Sequence, residues 1–242
     1  MSLKVAILEA DHVADHLRIH HGSYPEMFAR LLQAVDPDIV CDTFTVIDGQ
    51  FPKDLKSYDG FLITGSRFSA YDSETWVAKL ISYVHDLYRA RKPLVGICFG
   101  HQVIAQALEG AVERAPQGWG VGAYTSRLYY KPQWMKSQPV NNVFTLLASY
   151  QDQVVKLPKH AALLAGNSFC PNAMYQLGET ILTFQGHPEF SKEYCRGLMD
   201  MRQEQLGRDT YKRGVESLNE AIDAQLVGQW IVEFFRYNKF HH

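Results

Sequence analysis

"KPLVGICFGHQ", Lys92 to Gln102, runs through an apolar stretch and then sets a cysteine between two glycines. "PLVGIC" (Pro93–Cys98) reads as a buried strand, and "HQVIAQALEG" (His101–Gly110) as a helix with Gly110 as its stop. Cys98 then stands at the carboxyl end of a strand, on the turn into a helix. Open α/β sheets bind their ligands at that edge. Gly96-Ile97-Cys98-Phe99-Gly100 is the cysteine counterpart of the G-x-S-x-G nucleophile elbow. The glycines leave room for a sharp turn that holds the thiol strained and exposed above the sheet. The helix behind it points its positive end at the sulfur and favours the reactive thiolate. On the pentapeptide alone, a buried structural cysteine fits equally well.

The flanking sequence supports the strand–helix reading. "KVAILEA" (Lys4–Ala10), "IVCDTFTVI" (Ile39–Ile47) and "YDGFLITGS" (Tyr58–Ser66) read as strands. Tyr24–Val35 carries Met27, Leu31, Leu32 and Val35 at helical spacing, and Glu74–Arg91 carries Val77, Leu80, Ile81, Val84, Leu87 and Tyr88. The order β, α, β, β, α, β, α predicts an α/β fold: an open, mostly parallel sheet flanked by helices. The second half predicts an additional antiparallel region. It has strands at Gly122–Tyr130, Tyr150–Pro158, Ala161–Ser168 and within Ala173–Phe190, and a hairpin turn at Gly178–Glu179. Two or three C-terminal helices close the chain from about 192 to 238, with Trp230, Phe234, Phe235 and Tyr237 read as core packing. One domain over 1–242 is expected, with a core of about 4–190.

Composition narrows the function. A net charge of −2 with no dense basic block argues against nucleic acid as a partner. Cys41, Cys98, Cys170 and Cys195 form no CxxC pair, so neither a disulfide framework nor a structural zinc site is expected. No apolar run is long enough for a membrane span, and the cytosol is the expected compartment. No phosphate-binding glycine fingerprint occurs, and no metal or organic cofactor is signalled. Met1, Ser2, His241 and His242 are given no functional weight.

A thiolate nucleophile needs a base, and the base an orienting partner. Of the 10 histidines, His187 has the context. It follows an apolar run in "ILTFQGHPEF", and Pro188 biases it toward extended backbone. Residues two apart then point the same way, so Glu189 could set the imidazole tautomer. His12, His16, His20 and His21 lie in a polar segment, His85 in a helix and His160 in a loop.

"GICFGHQ" and "FQGHPEF" together resemble the two signatures of the class I glutamine amidotransferase domain, as does the flavodoxin-like layout over roughly Val5 to Phe190. "ITGS" (Ile63–Ser66) is similar to that family's oxyanion turn, and "YQDQVVKLP" to its S-H-x-D-x-V-x-x-L-P segment, with Tyr150 where many members have His. The resemblance implies a Cys98–His187–Glu189 triad that hydrolyses the glutamine side-chain amide through a γ-glutamyl thioester. It implies an oxyanion hole from the backbone N–H groups of Gly65 and Phe99. It also implies a substrate-positioning role for Gln102, with Arg67, Gln151 and Trp119 as further pocket candidates. The implied ligand is a small molecule, glutamine or a γ-glutamyl compound. Class I domains feed ammonia to a synthetase, and about 50 residues after Phe190 leave no room for one here, so a separate partner subunit is implied. The alternatives are a γ-glutamyl peptidase using the same triad, resembling the plant enzymes, and a silent regulatory domain.

Overall fold

Burial on both faces is written into the first strand. β1 (Lys4–Glu9) is buried at every position but the first. Neighbouring residues on a strand face opposite ways. Val5 and Ile7 join one core cluster, with Phe28, Leu62 and Trp230, while Ala6 and Leu8 join another, with Phe61, Leu80 and Val103. A strand covered on both sides belongs inside a parallel sheet. The computed structural model describes residues 2–241, and Met1 and His242 lie outside the described residues.

The first half continues with α1 (Asp15–His21), α2 (Tyr24–Gln33), β2 (Val40–Thr45), β3 (Gly60–Ile63), α3 (Thr75–Arg89), β4 (Leu94–Ile97) and α4 (Phe99–Ala107). α2 starts at a capping box in which Ser23 and Glu26 satisfy each other's backbone N–H. α3 buries Val77, Leu80, Val84 and Leu87, while Tyr88, from the same stripe, stays exposed. α1 is a helix that the sequence reading did not foresee. Only Leu17 in it is buried, so no apolar period marks it. α4 begins two residues earlier than expected and ends sooner. Glu109, not Gly110, adopts the left-handed conformation (φ 67°) after it. Gly110 is needed for space, since a Cβ there would come 2.7 Å from the Lys156 carbonyl oxygen.

The second half supplies β5 (Ala111–Arg114), β6 (Gly120–Leu128), β7 (Val143–Tyr150), β8 (Asp152–Lys156), β9 (Ala161–Gly166), β10 (Met174–Leu177) and β11 (Ile181–Phe184). Then come α5 (Lys192–Met201), α6 (Gln203–Leu206), α7 (Arg208–Ser217) and α8 (Ala224–His241). The main sheet runs β2-β1-β3-β4-β11-β10-β9-β6-β7. Pairings from β2 to β11 are parallel. Those from β11 to β7 are antiparallel, and β5 pairs with β8 in a separate ribbon. β5 and β7 went unforeseen. The β10–β11 hairpin turns at Gly178 (φ 56°), where the Gly-Glu pair predicts it.

α8 buries Trp230, Ile231, Phe234 and Phe235 completely. Each such side chain contributes about 1.5–3 kcal/mol. Phe235 lies on bare backbone: a Cβ on Gly60 would come 2.4 Å from its ring. Among the described residues no helix is long and apolar enough to cross a membrane.

Candidate active site

Four segments leave the carboxyl ends of parallel strands on one side of the sheet. Asp11 follows β1, Gly65–Arg67 follow β3, Cys98 follows β4 and His187 follows β11. β3, β4 and β11 are adjacent, so the last three segments converge. Strand order alone thus gathers residues far apart in the chain.

Cys98 adopts φ 52° and ψ −101°, a conformation that costs an L residue about 1–3 kcal/mol. The surroundings enforce it. Its N–H donates to the Phe184 carbonyl at 2.8 Å, and its carbonyl accepts from the Gln102 N–H at 3.0 Å. The two glycines of the pentapeptide face each other. A Cβ on Gly96 would sit 2.6 Å from the Gly100 carbonyl, and one on Gly100 would sit 2.5 Å from the Ile63 oxygen. The turn closes only because both are bare.

The thiol is not exposed above the sheet, as the pentapeptide suggested. Cys98 is 4% accessible and lines a cavity of about 570 Å3. The correction has a physical cause: Phe68, Trp119 and the α5 residues Tyr194 and Leu198 also line that cavity, walling in the elbow from loops and a helix distant in sequence.

His187 is anchored by its N–H donating to the Leu147 carbonyl at 2.8 Å, a contact with β7. Its ring stacks on Phe190 with 3.8 Å between centroids. Nδ1 lies 2.7 Å from Glu189 Oε1, and both side chains are buried. Burial alone pushes this imidazole down. The Glu189 carboxylate, then the Cys98 sulfur, outweigh burial and lift it to about 10. Gly65 fits between base and thiol. A Cβ there would sit 2.7 Å from His187 Cε1 and 3.6 Å from Cys98 Cβ. Phe99 is the first residue of α4, where backbone N–H groups have no intrahelical partner.

The remaining sequence candidates all border the cavity, in different ways. Gln102 is buried, and its amide nitrogen donates to the Asp152 carbonyl (2.7 Å) and to Gln185 Oε1 (3.2 Å). The Arg67 side chain is 61% accessible and lies 3.6 Å from the buried Asp11 carboxylate. Gln151 accepts from Arg114 at 2.6 Å. Trp119 lies under the Arg202 guanidinium, 5.5 Å from its ring centre. Tyr150 is buried, and burial pushes its phenol well above the usual range. The sequence reading missed Asp11, Arg114, Arg202 and Gln185. Gln185 lay inside the quoted "FQGHPEF", but nothing marked Arg202, which stands at the junction of α5 and α6, outside both motifs.

The glutamine amidotransferase class-I family model matches residues 20–196. The chain belongs to that family. Gamma-glutamyl peptidase 4 of Arabidopsis thaliana is 34% identical over 187 residues, spanning 74% of this chain and 73% of the relative. A GMP synthase [glutamine-hydrolyzing] of Porphyromonas gingivalis is 30% identical over 148 residues, which is 26% of its length. A solved glutamine amidotransferase from Thermotoga maritima superposes with a TM-score of 0.75 at 16% identity, covering 98% of this chain and 99% of its own. At that identity the likeness is one of fold, and it is a class I amidotransferase fold.

Proposed function

We propose that this protein hydrolyses γ-glutamyl amide bonds through a thioester on Cys98, with γ-glutamyl peptides as its main substrates. The observation that carries the reading is the strained cysteine at a helix N-terminus, set against Gly65 together with an imidazole whose Nδ1 lies 2.7 Å from the Glu189 carboxylate. The Cys98 thiolate attacks the γ-carbonyl carbon. The resulting oxyanion takes hydrogen bonds from the backbone N–H groups of Gly65 and Phe99, each donor contributing about 3–4 kcal/mol in comparable sites. His187 hands its proton to the leaving nitrogen as the C–N bond breaks, freeing an amine and leaving the γ-glutamyl thioester. Water then attacks that carbonyl, His187 takes the proton, and the C–S bond breaks to release glutamate and the thiolate. Glu189 orients the imidazole through Nδ1 and leaves Nε2 for the reaction.

Two observations favour a peptide over free glutamine. The cavity, at about 570 Å3, lies within the roughly 300–1,000 Å3 of sites for drug-sized ligands, more room than glutamine fills. The plant relative is named for γ-glutamyl peptides and is matched over most of its length. The second reading, a glutaminase serving a separate synthetase subunit, has the GMP synthase relative on its side.

Turnover of glutathione and of a γ-glutamyl dipeptide, compared with glutamine and with no partner present, decides between them. Peptide cleavage that far exceeds glutamine hydrolysis is expected. Glutamine turnover with inert peptides would shift the assignment to the glutaminase. Inertness toward all three substrates would contradict both readings.

A further inference from the structure

Gln185 stands two residues before His187 and is completely buried. Its side chain belongs to a short run of amides that ends at sulfur. The Asp152 backbone carbonyl accepts from Gln102 Nε2 at 2.7 Å. The same nitrogen lies 3.2 Å from Gln185 Oε1. Gln185 Nε2 in turn lies 3.7 Å from Cys98 Sγ. An amide can be turned end for end with little change of shape, so its polarity has to follow from its partners. Here one partner cannot turn. A backbone carbonyl only accepts, so Gln102 presents its NH2 group to Asp152. Its second amide hydrogen then meets the Gln185 oxygen, which leaves the Gln185 NH2 group facing the thiol. Reversing Gln185 would set two NH2 groups against each other and a carbonyl oxygen against the sulfur. In a buried site the first clash is expensive whatever the state of the sulfur, and the second applies once the sulfur is a thiolate, since a thiol can donate to the oxygen.

We infer that Gln185 donates an N–H to the Cys98 sulfur and stabilises its thiolate, with Gln102 and the Asp152 carbonyl fixing the direction of that bond. A hydrogen bond to the charged form of an acid favours that form. The donor acts on the resting thiolate, and again when the C–S bond of the thioester breaks and charge returns to sulfur. Gln102 becomes a positioning residue, since its amide nitrogen is committed inside the protein. The inference rests on Cys98 being the nucleophile, and it adds a second polar contact for the sulfur beside the imidazole.

The test is the rate of Cys98 alkylation by iodoacetamide against pH, read site by site by mass spectrometry, in wild type, Gln185→Met, Gln185→Glu and Gln102→Leu. The other thiols are held protonated near neutral pH, because burial pushes Cys41 and Cys195 to about 11 and Cys170 to about 12. Gln185→Met is expected to raise the midpoint by about one pH unit, a tenfold slower alkylation below the midpoint. Gln185→Glu should raise it further by setting like charge beside the sulfur. Gln102→Leu should raise it less, by freeing the Gln185 amide to turn. If Gln185 were only structural, Gln185→Met would lower the melting temperature and leave the midpoint in place, and that overturns the inference. Should Gln185→Met fail to fold, an unmoved midpoint in Gln102→Leu overturns it equally. No alkylation of wild-type Cys98 at any pH would remove the nucleophile assignment as well, whereas alkylation with unmoved midpoints removes this inference alone.

Discussion

The back and the front of the cysteine elbow each bury a histidine, and the two imidazoles are driven in opposite directions. His101, behind the elbow on α4, sits among neutral groups. Its Nδ1 lies 2.8 Å from Thr183 Oγ1, which donates to the Tyr175 carbonyl, while the Tyr175 hydroxyl donates back to the His101 carbonyl. With no carboxylate to oppose it, burial drives this imidazole down to about 3. His187, in front, is buried as deeply but has Glu189 and Cys98 beside it, and rises to about 10. Burial sets the cost of charge, and the partner decides whether that cost is met. The closed ring at the back anchors α4 to β10 and β11. The set in front is where the proposed proton transfer takes place.

The largest expected effect is at the front. Cys98→Ala should cut turnover of γ-glutamyl substrates by more than about 10³-fold, as loss of a nucleophile does in other triads. A variant that retained a tenth of the rate would break the contrast at its root.

Glu189→Gln comes next. It keeps a hydrogen-bonding partner at Nδ1 and removes the charge, and the analogous change in a serine triad costs about 10⁴ in kcat. It also has a signature in stability. The His187 imidazole is raised in the folded state above its ordinary value of 6.5. Its contribution is therefore fully present below about 6.5 and is lost as pH climbs toward about 10. Wild type should lose stability across that alkaline window and Glu189→Gln should lose less, measured by denaturant titration at a series of pH values. Equal slopes would mean that Glu189 does not charge the imidazole.

His101→Leu should show the reverse pattern. Stability is expected to fall by about 1–3 kcal/mol through loss of the buried bond to Thr183, with turnover little changed. His101 is lowered in the folded state, so its contribution is present above about 6.5 and lost as pH falls toward about 3. The variant should lose less stability than wild type over that acid window. A large loss of turnover in a well-folded variant would erase the distinction between back and front.

The smallest effect belongs to the cavity mouth. Arg67 is mostly exposed, and its link to Asp11 is a loose 3.6 Å. Arg67→Ala should change stability by less than about 0.5 kcal/mol and raise KM with kcat nearly unchanged. A matching fall in kcat would place Arg67 closer to the chemistry than its exposure suggests.

Features that follow from local rules were legible in the sequence. The apolar run into Cys98 and the two glycines predict a strained strand-to-helix turn, and the glycine contacts give its cause. The pairing of His187 with Glu189 was legible from their spacing, although the chain bends at Pro188 and Glu189 instead of running straight through them. The parallel order came from alternating patterns, and the antiparallel region from short strands between turn residues. What escaped was set by tertiary context. α1 has too few buried residues to carry a period. The burial of Cys98 depends on Phe68, Trp119 and α5, none of which the pentapeptide can report. Arg202, just past α5, reaches the cavity beside β7, where it donates to Ser149 at 2.7 Å, and β7 is a strand that itself went unread. The direction of the Gln185 amide depends on a carbonyl 33 positions upstream in the chain, at Asp152.

One measurement bears most directly on the central claim, that Cys98 is the nucleophile of a γ-glutamyl site. The folded protein is incubated near neutral pH with a glutamine analogue carrying an electrophilic carbon in place of the amide, and the modified residue is located by mass spectrometry. One label per chain is expected, on Cys98, slowed by an added γ-glutamyl dipeptide and absent from Cys98→Ala. Folded protein left unlabelled at Cys98, or labelled there at a rate that the dipeptide does not change, would contradict the account.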